Sequence, residues 1–504
     1  MDTAVLSQED TLKETIRDYS LTGVESKLAI EKGLAEATWY SSPVAREEML
    51  ILLVRKDDQA IRDTILWFSL IFGSGILFFI TWGKWWAIFP YILYSVLYGS
   101  TSDSRWHESG HGTAFKTDWM NNVLYEIASF MVFRQSTVWR WSHTRHHSDT
   151  IIRGRDPEIA VPRPPKLFNR ILQHFAIIST PREFNKILLH ASGRIHPQVA
   201  TFLPRSEYGK VFIRARIYLL IYASVIGLSI YFWTLLPLFF IGLPNIFGSW
   251  LMVIYGTTQH AGLEENVLDH RLNSRTVYMN RLHRYLYWNM NYHIEHHMFP
   301  LVPYHALPKL HELIKDDLPE PNKSIIDAYR EIIPALIRQS KDPSYCITRE
   351  LPSSSDADNK HIMSNVYLGS SDTLKDGWID VCPVKVLKDG DVIRFDFLGY
   401  TYAIYRTTDN GYYATDGICT HGNTHLVMGL IIGEQIECAK HNGRFSIKDG
   451  SVKRPPVCVA LKTYEVKAEN DIISIRVDRA GGRGVDEEKN TVSFRVVSNN
   501  NVAT

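Results

Sequence analysis

Residues 217–259 run without one charged side chain (IYLLIYASVIGLSIYFWTLLPLFFIGLPNIFGSWLMVIYGTTQ). Residues 65–82 (ILWFSLIFGSGILFFITW) and 85–102 are equally free of charge and are parted only by a Gly-Lys pair. About 20 apolar residues cross a bilayer as a helix. The first two runs therefore supply one crossing each, and 217–259 supplies two, with a turn in the TLLP stretch near Pro237. Gly73, Gly75 and Pro90 are tolerable inside such helices. The competing reading is a set of core helices in a soluble protein, which would need enough surrounding protein to bury two paired blocks of this length. The pattern predicts four transmembrane helices in two hairpins. Lys84 is the lone Lys or Arg between the first two runs and none separates the last two, whereas the flanking and middle segments hold many. The excess of positive charge on cytosolic loops then places both termini and the middle segment in the cytosol. Trp82, Trp85 and Trp86 fit an aromatic belt at the outer interface, and the shorter apolar stretch 123–133 fits a helix in the interface plane.

A length of 504 residues allows two to four domains at ~150 residues each. With 55 basic against 54 acidic residues the net charge is +1, so no nucleic-acid footprint is visible. Five cysteines make no disulfide framework and suit a reducing compartment. The opening MDTAVLSQEDTLKETIRDYS lacks the basic start and apolar run of a signal peptide. Residues 1–60 read as an N-terminal cytosolic helical segment and 61–335 as the membrane domain with a cytosolic histidine-rich cap. Residues 336–375 read as a linker, polar and Ser/Asp-rich over 340–365. Short β-branched and aromatic runs between turn signals (VIRFDF, YTYAIYRT, GYYAT, IISIRV) make 376–476 a small all-β domain, and 477–504 a disordered tail.

Histidine is the residue type that carries chemistry here. HESGH supplies His107 and His111, WSHTRHH supplies His143, His146 and His147, and NYHIEHHMFP supplies His293, His296 and His297. Spacings of three and four put each set on one helix face. Neutral imidazoles converging on one point present nitrogen lone pairs to a metal ion. Eight ligands are too many for one ion and suit two, and an all-nitrogen shell fits iron, zinc or copper. All three windows lie on the predicted cytosolic side next to the membrane. Glu108 and Glu295 fall one or two positions from the ligands, off the ligand face, where they are solvated or back the ligands. Asp149 and Asp156, in HHSDTIIRGRDPE, are placed to accept imidazole N–H bonds and orient the second window. His270, His283, His305 and His311 are read as structural.

In the β domain, CTH and CAKH offer Cys419 and His421, then Cys438 and His441. Two thiolates and two imidazoles can hold zinc, although zinc fingers group cysteines first and histidines second. One Cys and one His per loop suits a Rieske [2Fe–2S] cluster, in which one iron takes two Cys and the other two His.

The order HESGH, HTRHH, HIEHH around two hairpins, followed by FPLVPYHALPKLH at 299–311, resembles the histidine boxes of the membrane fatty acid desaturase/hydroxylase superfamily over about residues 60–315. The resemblance implies two Fe ions in a di-iron centre below the membrane surface, with O2 as co-substrate. It also implies a further ligand near the end of the fourth span, where His260 stands in TTQHAGLEEN. Residues 376–476 resemble Rieske ferredoxins, with Pro455–Pro456 similar to the proline loop that covers such clusters. Cys419, His421, Cys438 and His441 are then the cluster ligands. Gly422 and Lys440 stand where high-potential Rieske proteins carry an extra disulfide, which implies the lower-potential type that feeds oxygenases. Cys346, Cys382 and Cys458 remain as free thiols.

Together the two resemblances imply a membrane-bound, O2-dependent di-iron oxidoreductase. It would desaturate or hydroxylate an unactivated aliphatic C–H of a fatty acyl, lipid-like or amphipathic substrate, with its own Rieske domain relaying electrons. Fusion raises the local concentration of donor near acceptor. The chain also resembles the oxygenase and Rieske ferredoxin pair of bacterial rhizopine catabolism, which implies an alternative, hydroxylating demethylation of a small methyl ether or methylamine. Two further alternatives are an electron-transfer or metal-binding membrane protein without oxygenase activity, and a zinc-loaded hydrolase. No GxGxxG opens a strand–helix unit, so a separate NAD(P)H-dependent reductase is implied. Oligomeric state has no signature in the sequence.

Overall fold

The computed structural model describes residues 17–35, 37–352, 366–370 and 374–477, with the strands Gly484–Asp486 and Thr491–Ser493. The chain divides into two compact units. One comprises Met1–Ala35, Val54–Met298 and Val302–Ser353, the other Glu36–Leu53, Phe299–Leu301 and Ser354–Thr504.

The first unit is helical. After α1 (Val24–Glu31) and α2 (Arg46–Leu52, assigned to the second unit), α3 spans Asp57–Thr81. Asp57 and Asp58 sit in its first turn, where a negative charge complements the helix dipole. Asp57 also accepts from the Thr117 amide at 3.0 Å and its hydroxyl at 2.7 Å. Ala60, Trp67, Ile71, Ser74 and Phe78 make the buried face of α3, while Phe72, Ile76, Phe79 and Ile80 stand exposed opposite them. A helix apolar on both faces and buried on only one fits poorly in water. The same holds for α10 (Tyr208–Tyr231), which exposes Leu220, Ile226 and Ile230.

Among the described residues, two stretches are long and apolar enough to cross a membrane, Arg46–Thr81 and Arg205–Tyr231. The other two of the four expected crossings are segmented. Between α3 and α5 (Thr101–His111) lies the short α4 (Ile88–Gly99), and α10 is followed by α11 (Leu236–Phe240), α12 (Leu243–Gly248) and α13 (Trp250–His260). The breaks have local causes. Pro237 and Pro244 each open a helix, and Gly242 takes φ 107°, which favours glycine. α12 also lies backbone-to-backbone on α4, since a Cβ on Gly248 would stand 1.8 Å from the Ser95 carbonyl oxygen.

The histidine windows fall on α5, α7 (Ser136–Ser148) and α16 (His293–Met298). α5 stops at Gly112 in the left-handed conformation, φ 72°. Among the remaining helices, α6 (Asp118–Met131) contains most of the stretch expected in the interface plane. It exposes Trp119, Val123 and Ile127 at four-residue intervals and buries Leu124, Tyr125, Ala128 and Met131. α8 (Leu167–Gln173) and α9 (Ser179–Ala191) follow α7. α14 (His270–Asn273) and α15 (Arg281–Leu286) precede α16, and α17 (Leu307–Ile314) and α18 (Ile325–Gln339) follow it.

The second unit is built on short strands. β1 (Val366–Leu368) runs parallel to β3 (Asp391–Phe397), which forms an antiparallel meander with β4 (Tyr400–Arg406) and β5 (Tyr412–Asp416). β10 (Thr463–Tyr464) adds to β5, while β2 (Trp378–Pro383), β11 (Val466–Glu469) and β12 (Ile472–Arg476) form a second sheet. A third sheet orders β6 (Leu430–Ile432), β7 (Gln435–Glu437), β8 (Arg444–Ser446) and β9 (Val452–Arg454). Ile379, Ile393, Phe395, Ile404 and Ile473 form one core cluster. Cys419 and Cys438 belong to another, with Tyr405, Leu426, Ile436, Phe445 and Val457. Arg46 of α2 reaches Asp391 at 2.7 Å and donates to the Val427 carbonyl at 2.7 Å. Most of the expected disordered tail lies outside the described residues. Within it, Gly484–Asp486 and Thr491–Ser493 pair antiparallel.

Candidate metal centres

Nine buried or nearly buried histidines meet in the helical unit. They form two groups, His107, His111, His143, His147 and His296 in one and His146, His260, His293 and His297 in the other, with one ligand atom from each residue within 4.8 Å of the rest of its group. All nine are the residues singled out in the sequence. The Nε2 atoms pair closely: His111 to His143 at 3.1 Å, His143 to His147 at 3.2 Å and His147 to His296 at 3.2 Å. In the second group, His293 Nε2 stands 3.0 Å from both His260 Nε2 and His297 Nε2. A metal–nitrogen bond of ~2.1 Å with a ligand angle of about 90–100° puts neighbouring nitrogens ~3.0–3.2 Å apart. The two groups touch where the His147 and His297 rings stack at 4.4 Å.

Acceptors behind the rings fix which nitrogen faces inward. His143 Nδ1 meets Glu158 Oε2 at 3.0 Å, His146 Nδ1 meets Asp156 Oδ2 at 2.9 Å, and His260 Nδ1 meets the Asn273 carbonyl at 2.8 Å. Each such acceptor holds the proton on Nδ1 and leaves Nε2 as the lone-pair donor. His297 Nδ1 has Thr150 Oγ1 at 3.3 Å. Both ring nitrogens of His107 are buried with no hydrogen-bond partner among the described residues, a costly arrangement that a metal ion would relieve. Burial, then repulsion from neighbouring imidazoles, holds His107, His143, His147, His293, His296 and His297 well below the usual histidine range. At neutral pH these rings are unprotonated, the form that binds metal. His146 is the exception: burial opposes its charge, but Asp156 outweighs burial and raises it.

Of the two aspartates expected behind the second window, Asp156 takes that place and Asp149 does not. Asp149 pairs instead with Arg145 at 2.5 Å and Arg155 at 3.1 Å. Glu108 and Glu295 are fully buried, so a solvated position is excluded for both. Glu295 accepts from Thr276 at 2.6 Å and from His311 Nδ1 at 2.5 Å, and Glu108 accepts from Thr113 at 2.7 Å and the Tyr304 amide at 3.0 Å. The FPLVPYHALPKLH segment thus clamps the first and third windows through Tyr304 and His311. Burial pushes Glu108 up to about 7. His283 bonds Tyr255 at 2.6 Å, and the His270 ring lies 5.0 Å from His297. Sequence reasoning missed Glu158, Thr150 and Asn273. Glu158 stood in the quoted RGRDPE stretch, but nothing in its spacing marked it.

Two cavities adjoin here, and the smaller one meets these histidines. One of about 100 Å³ is lined by His107, His143, His146, His260 and His293. It shares Asp103, Arg134, Glu158, Gly256 and Gln259 with a larger one of about 1160 Å³.

In the β unit, Cys419 and Cys438 are both 1% exposed and their thiols contact each other. The His421 and His441 rings stand edge to face at 5.0 Å. The Cys419 partner, then burial, raises the Cys438 thiol, while the Lys440 and His441 amides point at it and oppose the rise. Two touching buried thiols cannot both ionise unless a cation compensates them, which fits iron. Gly443, in the second cluster loop, approaches the 455–457 proline stretch so closely that a Cβ would lie 2.5 Å from Val457 Cγ1. His425, which the sequence reading passed over, is buried in the first loop. It takes the Val427 amide at 3.0 Å and meets Thr401 Oγ1 at 2.8 Å.

A helical, histidine-lined cavity and a Cys–His β domain in one chain define a protein with two candidate metal centres in separate units. Comparison with known proteins gives the family. Residues 50–329 match the fatty acid desaturase family and 377–465 the Rieske [2Fe–2S] domain, and the chain belongs to the fatty acid desaturase family. The ferredoxin component of the naphthalene 1,2-dioxygenase/salicylate 5-hydroxylase systems of Ralstonia sp is 35% identical over 101 residues, 20% of this chain and 96% of that protein. The ferredoxin component of the naphthalene 1,2-dioxygenase system of Pseudomonas putida is 38% identical over 93 residues, 18% of this chain and 88% of that one. Among solved structures, the ferredoxin of carbazole 1,9a-dioxygenase from Nocardioides aromaticivorans aligns at 28% identity and a TM-score of 0.20, covering 20% of this chain and all of that one. The protein is an O2-using oxidoreductase. Its family and histidine clusters imply a di-iron centre, and its C-terminal domain a [2Fe–2S] cluster.

Proposed function

We propose that this protein is a multi-pass membrane oxygenase that hydroxylates or desaturates an unactivated aliphatic C–H, with its Rieske domain as the immediate electron donor. The carrying observation is the set of nine histidines in two adjoining groups at the end of a cavity. His107, His111, His143, His147 and His296 would hold one iron and His146, His260, His293 and His297 the other, where bound iron supplies O2 activation. Cys419 and Cys438 would hold one cluster iron, His421 and His441 the second. Glu158, Asp156 and the Asn273 carbonyl orient imidazoles, and the buried walls exclude water.

For hydroxylation the balance is RH + O2 + two electrons + two protons giving ROH + H2O. Desaturation uses the same input and releases two H2O. The electrons come from a separate NAD(P)H-dependent reductase by way of the cluster. Four crossings with cytosolic termini and catalytic domains remain the preferred topology. Exposed Trp82, Trp85 and Trp86 after α3, and Tyr231, Phe232 and Trp233 at the end of α10, support an interfacial belt at the C-terminal ends of both long helices. The domain boundaries proposed from the sequence, 61–335 and 376–476, serve this reading. A fatty acyl or other lipid-like chain suits the membrane setting. Hydroxylating demethylation of a methyl ether or methylamine is the second reading, favoured by the charged residues Asp103, Arg134 and Glu158 where the two cavities meet.

The test is iron and acid-labile sulfide per chain in protein from iron-replete cells, followed by O2 uptake with reductase and NAD(P)H. About four iron and two sulfide are expected for a di-iron centre plus one [2Fe–2S] cluster. Two iron with two sulfide, and no O2 uptake, would sink the reading and leave an electron carrier.

A further inference from the structure

We propose that Asp103, held by Arg134, reads the substrate, and that it takes a hydrogen-bond donor, a hydroxyl or an amine, carried within a few bonds of the carbon that reacts. The inference rests on the oxygenase reading above and names the substrate class for that site.

Asp103 lies on α5 four residues before His107, one turn away on the same face. It lines both the small cavity at the histidines and the large one beside it. One carboxylate oxygen, Oδ1, is taken by Arg134. Oδ2 has no hydrogen-bond partner among the described residues, and the Asp103 side chain, 18% exposed, lines both cavities. Two tryptophan rings pack on Arg134. Its guanidinium sits 4.2 Å from the Trp106 ring and 4.4 Å from the Trp139 ring, and its carbonyl accepts from Tyr218 Oη at 3.0 Å. Gln259 adds a second acceptor to the same wall. Its Nε2 donates to Tyr287 Oη at 2.7 Å, which leaves Oε1 beside Gly256, 3.9 Å from where a Cβ on that residue would stand.

The site therefore offers two acceptor oxygens and a compensated positive charge where the cavities join, about one helical turn from a candidate ligand. A plain hydrocarbon there would strip water from the ion pair and return no hydrogen bond. An anionic carboxylate would meet Asp103 as a like charge. A neutral or cationic group with an O–H or N–H completes the set. Sites built this way discriminate strongly against analogues that lack the donor.

The test uses the full-length iron-loaded protein and matched probes: 2-methoxycyclohexanol against methoxycyclohexane, with n-dodecane and dodecanoate as chain probes. Binding is read by calorimetry, and turnover by formaldehyde or hydroxylated product with reductase and O2. The hydroxylated ether is expected to bind at least about 10-fold more tightly than its partner. Asp103→Leu should erase that ratio, and Asp103→Asn, which keeps an acceptor but loses the charge, should lower it. Should Asp103→Leu fail to fold with Arg134 unpaired, Asp103→Leu/Arg134→Met removes both charges and tests the same ratio. The proposal is overturned if wild type binds both ethers alike or neither, if a chain probe outcompetes the hydroxylated ether, or if the ratio survives in the folded variants. Donor preference without any O2-dependent product would instead sink the oxygenase reading and leave the recognition site standing. O2-dependent product without donor preference would do the reverse.

Discussion

His143, His146 and His260 each turn a lone pair inward because something accepts their other proton, and that division of labour makes two tests possible. Removing the acceptor while keeping the ring should loosen metal without removing a ligand. Glu158→Gln and Asp156→Asn are expected to lower iron affinity by about 10–100-fold, read by chelator competition, whereas His296→Ala should abolish turnover and leave the Rieske spectrum intact. Equal iron retention in all three would argue against these residues serving the metal. The second test is pH. The buried rings of His107, His143, His147, His293, His296 and His297 titrate below the value of the unfolded chain, near ~6.5. Below that pH the unfolded chain binds more protons than the folded one, so stability falls as pH drops. Iron-depleted protein should therefore lose several degrees of Tm, at about 2–4 °C per kcal/mol, between pH 7.5 and 5.5. Iron-loaded protein should melt higher at neutral pH and lose at least as much, because the metal keeps the folded rings unprotonated while the unfolded chain still takes up protons. A melting temperature that iron does not raise at pH 7.5, or a shallower pH slope with iron bound, would mean that the rings are not the ligands.

The elements show what periodicity can and cannot reveal. The ligand faces were legible because a three-four spacing on a helix has one geometric meaning, and α5, α7 and α16 realise it. Glu158 and Asn273 were not legible, since their contacts depend on how the 149–158 loop and α14 fold back onto the boxes. Absence of charge marked the two long apolar helices, α3 and α10. It gave no sign that the return segments would be cut into short helices: Pro237, Pro244 and Gly242 break the chain locally, and Gly248 meets Ser95 only across two elements. Gly248→Val should consequently prevent α12 from docking on α4, and the measurement is the yield of folded, iron-loaded protein after detergent extraction, expected to collapse. The role of α2 was equally hidden. Its Arg46 makes a mostly buried ion pair with Asp391 and a bond to the Val427 carbonyl within the β unit. Hydrogen bonds to charged groups contribute about 1.5–3 kcal/mol each, so Arg46→Ala should lower the melting temperature followed by visible circular dichroism of the cluster. No shift would mean that residues 36–53 are not part of that folding unit.

At the scale of the whole chain, the question is why a desaturase-family domain should carry its own ferredoxin-like module. O2-dependent hydroxylation or desaturation needs two electrons per cycle, and a [2Fe–2S] cluster carries one at a time, so a diffusing ferredoxin would have to find the desaturase-family domain twice per turnover. Tethering replaces both encounters with an effective concentration in the millimolar range for short flexible linkers. The burial of Cys419 and Cys438 in the core of the β unit gives this module a rigid scaffold of its own. Losing the cluster should therefore disable electron delivery and spare the iron site. In Cys419→Ser the Rieske EPR signal should vanish and NAD(P)H-driven turnover should fall to background. Chemical reduction with dithionite followed by O2 should still give a single turnover comparable to wild type. Adding a free Rieske ferredoxin in trans should restore steady-state activity only at concentrations approaching the effective concentration of the tether. If the variant kept its NAD(P)H-driven rate, the reductase would be reaching the iron site directly, and the fused module would need another purpose. If it lost single turnover as well, cluster and iron site would depend on each other for folding, not only for electrons.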